Sequence, residues 1–294
     1  MKTYSFEEAT GTIEYGFTND YMFRAILQKN KKVLKALICA LLHFEPDAVR
    51  SVEVTNPIEL GESMEDKDFV LDIHVSLNDN TNIDLEMQVR KQIDWEERSL
   101  SYLCRTFDQL VKGENYGKAK AAIHIGFLDF TPFPDYPEFY AKHKLMNTKN
   151  HRIYSDKFIL SMVDLTRIDL ATDEDKAYQI DHWARLFKAR TWEELKMIAE
   201  KNENLQEASE NLYKLNLDDI ARQKARARAH YEYVERTAER LTKENAVLAE
   251  ENKALSSENK ALSSENEALS SENEALSSEN EALKKLLDKH GISF

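Results

Sequence analysis

Between residues 71 and 89 apolar and polar positions alternate strictly. Leu71, Ile73, Val75 and Leu77 are interleaved with Asp72, His74 and Ser76, and Ile83, Leu85, Met87 and Val89 with Asp84, Glu86 and Gln88. A period of two is the strand signature, so each run predicts a strand with one apolar and one polar face. Asn78, Asp79, Asn80 and Thr81 between them are turn formers, and the two runs read as a hairpin. Elsewhere the period lengthens. Residues 20–27 and 31–42 carry helical apolar faces, the second built from Val33, Leu34, Leu37, Ile38, Leu41 and Leu42. Asp94 followed by Glu97 reads as a capping box that opens a helix over 95–112, and Gly113 is its natural stop. Residues 121–130 are almost continuously apolar, which predicts a strand buried on both faces. Pro132, Pro134 and Pro137 then impose a loop, and 157–165 predicts another strand. From about 173 to 240 the pattern is helical and charged, with Trp183, Leu186, Phe187, Trp192, Leu195 and Ile198 as a packing face. The fold class this order predicts is mixed α/β, with a sheet-bearing domain over 1–170 and a helical extension over 171–240.

The last pattern is the plainest. Leu241, Leu248, Leu255, Leu262, Leu269, Leu276 and Leu283 stand seven apart, and so do the asparagines from Asn245 to Asn280, in a near-identical heptad ALSSENE. With Leu at d, Asn falls at a and Glu at g, which predicts a coiled coil over 241–288. A parallel, in-register pair lets Asn face Asn, so a parallel dimer through Leu241 to Leu283 is expected. Asn at six successive a positions makes such a zipper weak on its own. A helix over 241–283 would be about 65 Å long.

Composition narrows the class. The 294 residues are 42% hydrophobic, enough for a real core. No apolar run reaches the ~18 residues of a membrane span, and residues 1–20 lack a signal-peptide pattern, so a cytoplasmic protein without a membrane partner is expected. Cys39 and Cys104 sit in helical, apolar surroundings and are read as inert buried thiols. The net charge of −13 excludes a protein that coats nucleic acid by bulk attraction. Acidity is shared by both parts: the tail from Leu241 holds 6 basic and 11 acidic residues, and the remainder carries a net −8.

If like faces of the hairpin lie together, Asp72 falls opposite Glu86 or on its near diagonal, with Cβ atoms roughly 4.5–8 Å apart. Two carboxylates that close repel unless something positive joins them, and a hard divalent cation with oxygen ligands answers that need. Alternating acids on a hairpin are otherwise its solvated face. The glycine-containing stretch from Gly61 to Lys67 leads into the hairpin as a loop over the carboxylates.

Asp72…Glu86-x-Gln88 resembles the core of the PD-(D/E)XK nuclease fold, in which a strand Asp and a Glu-x-Lys strand bind metal. With NDYMFRAIL near the start, KDFVLDIHV, IDLEMQV, a helix carrying Arg98 and Tyr102, and WEELKMIAEKN, the chain over roughly 15–240 resembles the Rpn family of recombination-promoting nucleases, also described as PD-(D/E)XK transposase-like proteins. The resemblance implies metal-dependent hydrolysis of DNA phosphodiester bonds on a mixed four-stranded sheet flanked by helices. It implies Asp72 and Glu86 as metal-binding acids, the Met87 main-chain carbonyl as a further ligand, and Mg²⁺ as the metal, with Mn²⁺ or Ca²⁺ as alternatives. Gln88 stands where the broader fold has Lys. An amide orients water but supplies no charge at a phosphate, so Lys67, Arg90 and Arg98 are candidate replacements. Asp84 and His74 share the polar face, Asp84 as a supporting or solvated carboxylate and His74 at its rim. Asp20 matches an Asp of the family-like NDYMF stretch, and its ordinary role is helix capping. Arg98, Tyr102 and Arg105 form one helical stripe suited either to a DNA backbone or to pairing with Glu97 and Asp108.

A DNA endonuclease acting as a dimer, in recombination, mobile-element or defence biology, is therefore the expected function. The alternative is a non-catalytic dimeric DNA-binding or scaffold protein. Arg222, Lys224, Arg226, Arg228, Arg236 and Arg240 precede the leucine heptads in the layout of a basic-region zipper, although Glu232, Glu235 and Glu239 interrupt them.

Overall fold

The computed structural model describes residues 5–56, 73–78, 80–91 and 94–289. Helices α1 (Asp20–Lys29) and α2 (Lys31–Leu42) precede strands β1 (Val52–Val54), β2 (Ile73–Leu77) and β3 (Thr81–Gln88). Helix α3 (Trp95–Phe107), then β4 (Ala121–Leu128), β5 (Tyr140–Lys144) and β6 (Phe158–Asp164) complete the sheet. Helices α4 (Asp173–Ala177), α5 (Ile180–Lys188), α6 (Trp192–Ala199), α7 (Glu203–Leu217) and α8 (Asp219–Lys289) follow.

The sheet is mixed, with the order β1-β2-β3-β4-β6-β5. Strands β2 and β3 form the expected antiparallel hairpin, with Ile73 opposite Leu85 and His74 opposite Asp84. β3, β4 and β6 run parallel, and β1 and β5 close the edges antiparallel to their neighbours. Six strands replace the four that the resemblance implied, because both edge strands are short. β1 spans three residues, and β5 (YAKHK) is too polar to show as a strand in the sequence.

One face of the sheet builds the main core. Ile83, Leu85 and Met87 of β3 and Ile123, Ile125 and Phe127 of β4 pack with Phe23 of α1, Leu37 of α2 and Phe187 of α5. Phe23, Phe127 and Phe187 meet edge to face at ring separations of 5.3–5.5 Å, a geometry that aromatic quadrupoles favour. α3 covers the other face with a smaller cluster of Trp95, Leu128, Phe130 and Met162. Gly126 makes that cover close: a Cβ there would lie 2.6 Å from the Trp95 ring. The first compact unit, Met1–His230, takes in the helices after residue 170 as well as the sheet, and the second is Tyr231–Phe294.

Several local expectations change. Asn19, not Asp20, caps α1, its side chain accepting from the Met22 amide. Asp94 makes no side-chain capping bond among the described residues. α3 ends at Phe107, five residues before the expected last helical residue, Lys112, and Gln109 beyond it accepts a hydrogen bond from Asn82 at the start of β3. Cys39 is buried as expected but Cys104 is exposed, lying on the outer side of α3. In the second unit α8 is helical throughout the heptads, and the seven d-position leucines are each 48–56% exposed. No helix among the described residues is long and apolar enough to cross a membrane.

Candidate functional site

The polar face of the hairpin is not solvated. Asp84, Glu86 and Gln88 are all buried, because α3 lies over them. The solvated reading of Asp84 is thereby overturned. Strand register then makes a row across three strands, since His74 stands opposite Asp84 on one side and His124 of β4 on the other. His124 Nδ1 lies 2.7 Å from Asp84 Oδ2, and His74 Nε2 lies 3.3 Å from Oδ1. Burial alone would push the Asp84 pKa up, but the hydrogen bonds from His124 and His74 outweigh it and hold the carboxyl at about 2. Asp84 is a fixed anion.

Glu86, two residues on, has the opposite balance. Arg98, one turn into α3, donates to its Oε1 through Nε at 3.1 Å and a terminal nitrogen at 2.8 Å. Its Oε2 is buried and has no hydrogen-bond partner among the described residues, with His124 Nε2, equally unpartnered there, 3.8 Å away. Burial raises the Glu86 pKa, and the Arg98 and His124 charges do not fully offset it. A buried carboxylate held by hydrogen bonds to one oxygen leaves the other an acceptor, which is costly to bury unless something positive lies against it.

The α3 stripe forms as expected but reaches inward. Arg98 lies over the Tyr102 ring at 4.9 Å and Arg105 at 6.0 Å. Tyr102 in turn stacks on His124, ring centroids 5.9 Å apart and planes at 21°. Arg98 pairs with Glu86 rather than with Glu97 or Asp108 in the geometry just described. Gln88 donates from Nε2 to the Arg90 carbonyl at 2.9 Å. Met87 points its side chain into the main core.

Other expected residues lie elsewhere. Asp20 is buried and ion-paired to Arg228 of α8 at 2.5 Å, and the capping position belongs to Asn19. Burial raises its pKa against the pull of Arg228. That pair also weakens the basic-zipper layout: Arg228 faces inward, Lys224 is buried, and Arg222 pairs with Asp219 at 2.6 Å. Asp72, Lys67 and the loop from Gly61 lie outside the described residues. Among the described residues no group of three or more His, Cys, Asp or Glu side chains is spaced to hold a metal ion.

His124 is the residue the sequence reading missed. It was submerged in the apolar run AAIHIGFL, yet it is the one polar side chain in that strand, and the small Gly126 shares its face. A polar residue inside a strand buried on both faces needs a partner, and that was the available signal.

The chain matches no curated protein and no solved structure. Its residues 17–240, however, match the PD-(D/E)XK nuclease family transposase. That match spans the hairpin, the parallel strands and the helix that covers them, and with it the protein belongs to the PD-(D/E)XK nuclease family transposases.

Proposed function

We propose that the first unit is a metal-dependent DNA endonuclease in which Asp72 and Glu86 are the acidic ligands of a divalent cation. Mg²⁺ is the first choice, with Mn²⁺ or Ca²⁺ as alternatives, and the Met87 carbonyl is a further oxygen ligand. The observation that carries this reading is Glu86 Oε2, a buried carboxylate oxygen with no partner among the described residues. It fits a hard cation, which takes oxygen ligands and offsets the cost of a buried acceptor. The Ile73–Leu85 pairing supports the register that the hairpin pattern predicts, with Asp72 preceding Ile73 and Glu86 following Leu85 in the chain.

When bound, a cation supplies charge stabilisation at a phosphodiester and acidifies water. The chain's own residues do the positioning. Arg98 fixes Glu86 through two N–H groups on one oxygen and leaves the other oxygen presented. The Arg98 side chain is 33% exposed, so its guanidinium also meets solvent and can face a phosphate. It thereby replaces the charge that Gln88 lacks. Asp84, clamped by two histidines, keeps a constant negative charge beside Glu86 and His124 in place beneath Tyr102. Arg105, exposed at the end of the stripe, contacts the DNA backbone with Arg98.

The heptad tail joins two copies as a parallel coiled coil, and two single-strand-cutting units in one particle suffice to cut both strands of a duplex. Recombination, mobile-element movement and defence all use such a cut. The test is nicking of supercoiled plasmid by the purified protein with Mg²⁺ and with EDTA. Metal-dependent nicking that Asp72→Ala and Glu86→Ala each abolish is the expected result. Undiminished nicking by either variant overturns the site, and DNA retention without cutting at any metal supports the scaffold alternative.

A further inference from the structure

A tail of near-identical heptads has a register problem. Leucines and asparagines both recur every seven residues, so sliding one helix past another by seven, about 10 Å along the axis, restores Leu on Leu and Asn on Asn. The repeats fix which face is buried. They do not fix which heptad meets which.

The ends of the pattern are different from its middle. In the a column the residue before Asn245 is Ala238, and the residue after Asn280 is Leu287, both within α8. In register, Ala238 meets Ala238 and Leu287 meets Leu287. A slip of seven sets Asn245 against Ala238 and Leu287 against Asn280, burying an amide with no partner at each end.

Charge favours the same register, since in register both Lys284 side chains face a Glu279, whereas a slip of seven leaves one of them facing Glu272 and the other facing Leu286. In a parallel pair a g residue faces the partner's e residue five positions on. Glu244 would meet the partner's Ala249, and the next four g glutamates would each meet a serine. Glu279 alone meets a cation, the partner's Lys284. An antiparallel pair would instead line up the g glutamates against one another.

Resting on the coiled-coil reading above, we propose that the exposed leucine stripe docks a second copy of this chain in parallel, with register set by the two ends of the asparagine run and the Glu279–Lys284 contact. The interior repeats are register-neutral.

The experiment moves the ends. Asn245→Ala with Leu287→Asn shifts both boundaries one heptad toward the C-terminus. The full-length shifted chain and the parent chain carry different affinity tags and are co-expressed in a Cys104→Ser background, Cys39 being buried. Two pairings are prepared, parent with differently tagged parent and parent with shifted chain; in each, one parent copy carries Leu262→Cys and the other copy either Leu262→Cys or Leu269→Cys, and the purified dimer is oxidised. Parent pairs should cross-link 262 to 262, with 262-to-269 cross-links about a hundredfold rarer, as two unpaired buried amides demand. Mixed pairs should reverse that preference. Cross-linking 262 to 262 in the mixed dimer, or equal yields of both in the parent pair, overturns end-set register. A parent that sediments as a monomer and forms neither cross-link overturns the coiled coil itself, so the two failures are distinguishable.

Discussion

Strand β3 and the heptads of α8 are the two most regular stretches of this chain, and they end in opposite environments. From Ile83 to Gln88 of β3 the polar positions are buried along with the apolar ones, whereas in the heptads even the leucines stay about half exposed. Periodicity reports which residues share a face. It does not report whether anything covers that face. β3 is covered because α3 folds back over its polar side, with Trp95 seated on Gly126 of β4, and Asp84, Glu86, Gln88 and His124 are buried beneath it. Among the described residues the heptad leucines are left about half exposed, which is the face that the proposed pairing of two copies would cover. The difference teaches that the same regularity of pattern can accompany a face covered by its own fold, as in β3, or one left exposed, as in the heptads.

The largest effects should come from the covered face. Glu86→Ala should lower metal-dependent nicking by about a thousandfold or more, since a charge-stabilising group at the reacting phosphate is worth that much. Calorimetric titration with Mn²⁺ should lose its binding heat in the same variant. Arg98→Gln removes both the N–H groups that fix Glu86 and the positive charge beside it. It should cost about a hundredfold in nicking, and Arg98→Lys should recover only part of it, because an ammonium cannot reproduce the two-nitrogen contact. Full activity in Arg98→Gln would return the search for the missing charge to Lys67 and Arg90.

How much of this was legible follows from where the information sits. The hairpin, its faces and its register needed only neighbours in sequence, and the structure pairs Ile73 with Leu85 as alternation requires. The burial of Asp84 and Glu86 needed α3, whose close approach depends on Gly126 in a different strand, β4. His124 hid for the same reason: its partner Asp84 is a neighbour only once β3 and β4 run parallel. Asp20 was matched to the site by its motif, yet its partner Arg228 stands 208 residues away on α8. Between Asn19 and Asp20, either of which can cap a helix, the entry path of the chain decided for Asn19. β5 was invisible because an edge strand needs no apolar face of its own.

Within the covered face, the two carboxylates sharpen the comparison further, since they should respond to pH in opposite senses. The Asp84 carboxyl is held at about 2, below its ordinary 3.8, so it contributes stability that is fully present above about pH 4 and is lost as pH falls through 2. The Glu86 carboxyl is raised above its ordinary 4.5 by burial. Its ionised form therefore costs stability at neutral pH, and that cost disappears as pH falls through its raised value toward 4.5. Asp84→Asn should lose about 2–3 kcal/mol at pH 7, a buried charged hydrogen bond's worth, seen as a fall of about 5–10 °C in Tm. Glu86→Gln, though inactive, should melt no lower than the parent at pH 7. If both variants lose stability equally, the two acids are not the contrasting pair the geometry makes them.

The smallest effect expected on the folded unit is from losing the tail altogether. A chain ending at residue 240 keeps the matched region and every contact of the first compact unit, including Arg228 with Asp20. The removed leucines are half exposed and contribute no core, so Tm should change by less than about 1 °C, as for surface changes away from packed groups. Sedimentation should nevertheless fall from dimer to monomer. Double-strand breaks should drop relative to nicks while nicking per unit persists, because each copy retains Glu86 and Arg98. An unchanged association state would reassign dimerisation to the first unit, and a large fall in Tm would show that the heptads stabilise the fold as well as pair it.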